Sequence, residues 1–345
     1  MKSPWVSELQ DVGAVRGVFL VAESEVRAAR DDSPYLRMKL QDRTGAIDGL
    51  KWRATEAEQQ MGRGGSYVLI KGKVDIYQGR LQITVDRIEP PPSEPDPADF
   101  LPQSPRDLEE LRGELKDWIG TIRHPQVRRL LESLVIEGET GRKFAQAPAA
   151  TMVHHAYLGG LIEHTVSVIS LADTVAAHYP RLNRDLLLAG TILHDFGKIE
   201  EYEWQRGFRQ SDRGQLVGHI CQGLLLINRA MDAIPDFDPV WRMLISHIMV
   251  SHHGKLEYGS PKLPMIREAI ALHYLEDLDA KMQIVDKELD NGASVGSSPN
   301  WTRRNTWLEC ALFRGVPSEN DSARAPAEDS GADDAPEGGG PEDEP

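Results

Sequence analysis

The chain has 345 residues, enough for two domains, and a formal net charge of −15, which argues against non-specific binding to duplex DNA. Between positions 315 and 345, ten acidic residues against one arginine carry −9 of that charge and leave −6 for the body. There is no apolar segment of signal-peptide type and no run of about 18 apolar residues. The isolated Cys221 and Cys310 form no CxxC and read as two buried thiols in a reducing compartment, so the expectation is a cytoplasmic protein outside the membrane.

Residues 12 to 89 read as β-structure. VRGVFLVA (15–22) is an apolar run, and PYLRMKLQD alternates, with Leu36, Met38 and Leu40 on one face and Tyr35, Arg37 and Lys39 on the other. Arg43-Thr44-Gly45 turns the chain into AIDGLKW, the second strand of a hairpin. ATEAEQQM is a short helical insert closed by glycines. YVLIKGKVDIY and RLQITVDRI then pair across Gln78-Gly79. Five strands with a helix between the third and fourth resemble an OB-fold barrel. Such barrels bind single-stranded nucleic acid across strands two and three, where Tyr35, Arg37 and Lys39 face outward. An aromatic ring with two cations suits base stacking, worth roughly 1–3 kcal/mol per base, together with phosphate contact. An ordinary solvated strand face has the same composition.

PPPSEPDP lies within 90–105 and reads as a semi-rigid spacer, since consecutive prolines favour extended chain. The pattern turns helical from Ser104, which can cap, with Pro105 in the first turn and LEELRGELKDWI carrying apolar residues at three and four spacing. Residues 127–136 read as a second helix and 138–150 as a loop. Residues 217–231, 240–251 and 265–289 read as further helices, and 254–264 as a loop positioned to act as a lip. From position 317 onward there is no apolar periodicity, and the tail reads as disordered.

The stretch LLLAGTILHDFGKI (186–199) begins as an apolar helix and ends on His194-Asp195, followed by Gly197 and Lys198. A carboxylate beside an imidazole at the end of a buried helix needs a partner, and a cation serves. A capped helix end gives the same dipeptide, so the signal gains weight only from its surroundings. His164 lies on the amphipathic helix of GGLIEHTVSVISLADTV, His219 in VGHI, the pair His252-His253 in SHHG, and Asp279 in LEDLDAKM. Adjacent residues on a helix diverge by about 100°, so one of His252 and His253 fits the ideal face. His155 is an outer candidate for substrate contact.

This series, His…His-Asp…His…His-His…Asp, resembles the HD-domain metal-dependent phosphohydrolases. The barrel, the linker, HHAYLGGLIEHT, NRDLLLAGTILHDFGKIEEY, GHI and SHHG together are similar to the YhaM-type 3′→5′ exoribonucleases over about residues 10 to 312. The resemblance implies a multidomain fold. An OB-fold nucleic-acid-binding domain takes residues 1–90, and a Pro-rich linker with connecting helices takes 91–150. An all-α HD-domain bundle takes 151–313, followed by a disordered acidic tail at 314–345. It implies one divalent ion on His164, His194, Asp195 and Asp279, and a second on His219, His252 and His253, with Asp195 bridging. Mn²⁺ or Co²⁺ are the ions implied first, with Fe²⁺, Zn²⁺ or Mg²⁺ as others; imidazole favours the transition metals. Two ions roughly 3.5–4 Å apart activate water for attack on phosphorus, with Asp195 central and Lys198 near the scissile phosphate. The substrate implied is single-stranded RNA, with single-stranded DNA second, and a homo-oligomer is among the partners. The alternatives are an HD phosphohydrolase acting on nucleotides or cyclic nucleotides, and a non-catalytic RNA-binding adaptor.

Overall fold

In the computed structural model, residues 4–9, 13–29, 32–151, 156–290 and 300–315 are described. The disordered-tail expectation and His155 fall outside these residues. The N-terminal strands are β1 (Gly13–Ala28), β2 (Pro34–Asp42), β3 (Gly45–Trp52), β4 (Tyr67–Tyr77) and β5 (Arg80–Glu89). They close into a barrel in the order β1-β2-β3-β5-β4, and helix α1 (Glu56–Met61) stands between β3 and β4. This is the OB arrangement. Phe19, Val21, Leu36, Met38, Leu40, Val68, Ile70 and Ile83 fill the interior. The period of two in β2 therefore puts Tyr35, Arg37 and Lys39 outside, as read from the sequence.

β1 extends well past its apolar run. Its first half pairs with β4 and its second half with β2, with a register shift between Val21 and Glu23. The charged continuation to Ala28 is tolerated because those side chains stay in solvent while the backbone completes the ladder. At Gly72 the β4–β5 register also shifts, and an added Cβ would overlap the Thr84 carbonyl oxygen.

The helical body comprises α2 (Leu108–Gly120), α3 (Pro125–Leu131), α4 (Gly138–Gln146), α5 (Gly160–His178), α6 (Arg184–Leu193) and α7 (Lys198–Glu201). A two-stranded hairpin, β6 (Tyr202–Glu203) with β7 (Arg209–Gln210), precedes α8 (Asp212–Asp232), α9 (Pro239–Ser251) and α10 (Arg267–Asp290). From Leu186 to Leu193 every residue of α6 is buried, which explains why this stretch has no polar face. Gly190 lets Ile248 of α9 approach the α6 backbone closely. Residues Val285–Pro345 separate as a second compact unit, in which Trp301 bridges to Phe313 and Asn305 to Cys310. Among the described residues no helix is long and apolar enough to cross a membrane.

Four local expectations change. Asp107 caps α2, accepting from the Glu109 and Glu110 amides, because Ser104 spends its hydroxyl on the Arg106 amide. Residues 138–146 form α4: the glycines obscure a helix that buries Phe144 and Ala145, and Gly141 lets it pack against the Ile136 carbonyl. The stretch after the prolines also packs, since Phe100 and Leu101 are buried and the Phe100 ring lies 4.9 Å from that of Tyr67. Both cysteines are exposed rather than buried; Cys221 lies on the outer face of α8, beside the buried Ile220 and Gln222.

Replacing Gly72 with alanine should destabilise the barrel by roughly 2 kcal/mol, because the new methyl meets backbone and not a yielding side chain. Denaturant titration of the variant measures it, and an unshifted midpoint would show that the bulge relaxes freely.

Candidate metal centre

The apolar helices bring the polar residues of the motif to one point. His164 comes from the middle of α5, and His194 caps the C-terminus of α6, with Asp195 next in the chain. Lys198 opens α7. His219 follows Gly218, whose φ of 72° and ψ of 160° interrupt α8. His252 is the C-cap of α9. His253 lies beyond the helix end, where the chain turns, so both members of the pair reach the cluster and the 100° restriction does not apply. Gly197 has no room for a side chain: a Cβ would overlap the His219 carbonyl oxygen. The glycine in HDFGK is thus what lets α7 and α8 close around the site.

Asp195 stands at the centre. Its Oδ2 lies 3.3 Å from His194 Nε2 and 3.9 Å from His164 Nε2. Its Oδ1 lies 3.5 Å from His219 Nε2 and 4.0 Å from His252 Nε2. One oxygen therefore faces a first group, His164 with His194, and the other faces a second group, His219, His252 and His253. In each group the potential ligand atoms lie within 4.8 Å of one another.

The far side of every ring is tied. Nδ1 of His164 meets Asp279 Oδ2 at 2.8 Å, and that of His194 meets the Thr191 carbonyl at 2.7 Å. Nδ1 of His252 meets the Met249 carbonyl at 2.9 Å and that of His253 the Tyr258 carbonyl at 2.8 Å, while Nδ1 of His219 lies 2.9 Å from Glu201 Oε2 as an ion pair outside hydrogen-bond geometry. An acceptor at Nδ1 fixes the tautomer that carries its proton there and leaves Nε2 as a bare lone pair. The loop at 254–264, expected to act as a lip, supplies the Tyr258 carbonyl that holds His253.

Such a centre is unfavourable without a cation. Both Asp195 oxygens and Nε2 of His219 and His252 are buried without a hydrogen-bond partner. Lys198 Nζ is 2.6 Å from Asp195 Oδ2, an ion pair that offsets charge yet falls outside hydrogen-bond geometry. Imidazole nitrogens around a two-sided carboxylate are the donor set of a transition-metal site, so these residues fit divalent ions.

The electrostatics agree in part. Burial pushes the Asp195 carboxyl up, but Lys198, His194 and His219 outweigh it and hold the carboxyl well below its usual range. Burial lowers His164, His252 and His253, keeping them in the neutral form that ligates. His194 differs: burial opposes its charge, yet Asp195 raises it to about 9, so a proton and a metal ion compete there. Burial pulls Lys198 down, and Asp195 more than restores it, so it stays charged.

Two acidic residues of α10 differ in their partners. Asp279, expected as a ligand, accepts from His164 through Oδ2 and from Ser167 through Oδ1 at 2.5 Å, so it stands behind His164 and orients it. Glu276, one turn earlier on α10, was not singled out. Its Oε2 is buried without a partner, and burial raises the carboxyl to about 7, with Asp195 adding to the rise and His194 and Lys198 opposing it. The signal was available: Leu272, Leu275 and Asp279 mark the buried face of α10, and Glu276 lies beside it. Glu201 was likewise missed, although it is buried at the end of α7 and holds His219.

Some distance along the chain, Tyr35 pairs with Trp52 across β2 and β3, the rings 4.9 Å apart. Arg37 pairs with Asp48 at 3.3 Å, and Lys39 lies between Glu23 and Asp48 in the ladder. The outer face is therefore aromatic at one end and charge-balanced along the rest.

Residues 161–281 match the HD domain, and residues 20–91 match the OB-fold nucleic acid binding domain. An HD domain implies divalent metal binding, consistent with the two groups described. The chain is 34% identical over 285 residues to the 3′-5′ exoribonuclease YhaM of Bacillus subtilis (strain 168), covering 82% of this chain and 90% of the relative. It is 34% identical over 284 residues to that of Bacillus pumilus (strain SAFR-032), covering 81% and 90%, and to that of Geobacillus sp. (strain WCH70), covering 81% and 86%. No solved structure matches the chain. With metal-type side chains gathered on an HD helical body behind an OB barrel, and with relatives similar over most of their length, the chain belongs to the YhaM 3′-5′ exoribonuclease family of HD-domain hydrolases.

Proposed function

We propose that the chain hydrolyses single-stranded RNA from its 3′ end, using two divalent ions held by the groups that share Asp195. The observation that carries this reading is the division of Asp195, one oxygen toward His164 and His194 and the other toward His219 and His252. We assign His164, His194, Asp195 and Glu276 to one ion and Asp195, His219, His252 and His253 to the other, with Asp279 and Glu201 orienting His164 and His219. Manganese or cobalt suits this nitrogen-rich set. When bound, such ions supply Lewis acidity, which makes water a nucleophile near neutral pH and offsets charge at phosphorus.

The chain's own groups do the rest. Lys198 keeps a permanent positive charge beside Asp195 and faces negative charge growing on phosphoryl oxygens. The tied Nδ1 atoms prevent the rings from turning, so the site is organised before substrate arrives. The Tyr35–Trp52 pair offers a stacking platform for a base, with Arg37 and Lys39 beside it. Single-stranded DNA presents the same bases and phosphates and is a second substrate in this reading. A cytoplasmic location and self-association complete the proposal.

The direct test incubates the purified chain with 3′- and 5′-labelled single-stranded RNA across manganese, cobalt, zinc and magnesium. A ladder shortening from the 3′ end, abolished in Asp195→Ala with RNA affinity retained, is the expected result. Binding without cleavage in every metal would instead mark an RNA-binding adaptor, and cleavage of mononucleotides alone a nucleotide phosphohydrolase.

Metal binding separates the two carboxylates of α10. Glu276→Gln should remove one of two bound manganese ions, whereas Asp279→Asn should keep both at lower affinity, by about 10–100-fold. Metal analysis after dialysis reads the difference, and equal stoichiometry in the two variants would reverse the assignment.

Because His194 is raised to about 9, its proton must leave before its Nε2 can ligate. Manganese affinity should therefore climb as pH rises toward that value, by about tenfold per unit, and level off above it. Calorimetric titration at several pH values checks the slope; a flat profile would mean that His194 is already neutral.

A further inference from the structure

The outer face of β2–β3 offers rings but little net charge, while an RNA strand carries a negative charge at every linkage. A second feature answers that charge. Between the barrel and the helical body lies a cleft of about 640 Å³, within the roughly 300–1,000 Å³ typical of ligand sites. Its lining includes Gly64 and Gly65 of the barrel and Arg206, Phe208 and Arg209 of the β6–β7 hairpin. Gly65 lets the hairpin pass close to the barrel, the Arg206 carbonyl oxygen lying 3.6 Å from where a Cβ would stand. Arg206 is exposed and makes no ion pair among the described residues, while Arg209 pairs with Glu203. Glu23 is the acidic residue on the lining.

No residue of the metal centre lines this cleft, but the hairpin joins the two. Its tip is fixed to the barrel, where Tyr67 Oη donates to the Gln205 carbonyl at 2.5 Å. Its base is fixed to the centre: Gln210 Nε2 donates to Glu201 Oε1 at 3.2 Å, and Glu201 Oε2 meets His219 Nδ1 at 2.9 Å. The hairpin thus runs from the strand-binding domain to a ring of the metal cluster within a few residues.

We propose that this cleft is a binding site for single-stranded RNA on its way to the metal centre, with Arg206 on a phosphate and Phe208 against a base or ribose. The inference rests on the exoribonuclease reading and adds the route by which substrate enters. It makes the hairpin, and not the barrel alone, a determinant of the preference for a strand over a mononucleotide.

The test uses the full chain and an RNA of about 20 nucleotides, long enough to span a barrel and its neighbour. Affinity is measured by fluorescence anisotropy over a salt series without added metal. Arg206→Gln should weaken binding and lower the slope of log affinity against log salt by about 1, the loss of one phosphate contact, and Arg206→Lys should keep the slope. Photo-crosslinking of 4-thiouridine RNA should label the peptide spanning 202–210. An unchanged slope in Arg206→Gln, or crosslinks confined to β2 and β3, would overturn the route. Manganese-dependent shortening of the same RNA by the unsubstituted chain is scored separately. If shortening proceeds while Arg206→Gln binds as before, the route alone fails; if shortening never occurs, the exoribonuclease reading fails whatever the binding shows.

Discussion

Five imidazoles crowd about one buried carboxylate, an arrangement that has to be held in place. Four of the rings are prevented from turning away by an acceptor at Nδ1, one carboxylate and three backbone carbonyls, and the fifth, His219, has Glu201 beside it as an ion pair. Much of the helical body serves to hold these acceptors. Thr191 and Met249 lie in the last turns of α6 and α9, so the carbonyls that bind His194 and His252 belong to helix ends whose other partners have run out. The same ends direct the negative pole of two helix dipoles at the cluster, which favours cations there. Burial of α6 on all sides supplies the rigidity that such crowding requires.

How much of this was legible in the sequence depends on how locally each feature is encoded. The barrel was readable because period-two alternation in β2 and glycine turns between strands act within a few residues. The histidines were readable because they stand within helices or at the ends of apolar ones. α4 was not readable, since its two glycines mimic a loop and its helix forms only when Phe144 finds the core. Glu276 was not legible because it is an acidic residue one turn from Asp279, and only the fold shows that Asp279 is the one that meets His164. The β6–β7 hairpin was invisible for a related reason: two-residue strands have no period to detect, and this pair is held by contacts at either end.

The joint between barrel and helical body has a character of its own. It is built from single polar contacts, including Gln41 to the Phe100 carbonyl at 3.1 Å and Tyr67 to Gln205, around a small apolar patch of Leu20, Phe100 and Leu101. The proline stretch that reads as a spacer therefore ends in anchors. Burial of Tyr67 also keeps its hydroxyl protonated, raising it to about 12, so it remains a donor to the hairpin across the physiological range.

The balanced charges on the outer face of β2 and β3 bear on movement. The ion pair between Arg37 and Asp48, with that between Arg27 and Glu25 on the neighbouring β1, leaves ring planes as the main feature of that face open to a strand. Stacking is nearly indifferent to which base is held. A polymer gripped in this way has almost the same energy at each register, so it can slip forward one unit at a time without climbing out of a deep well. Under the proposed function, the barrel would suit a strand that keeps advancing as its end is consumed.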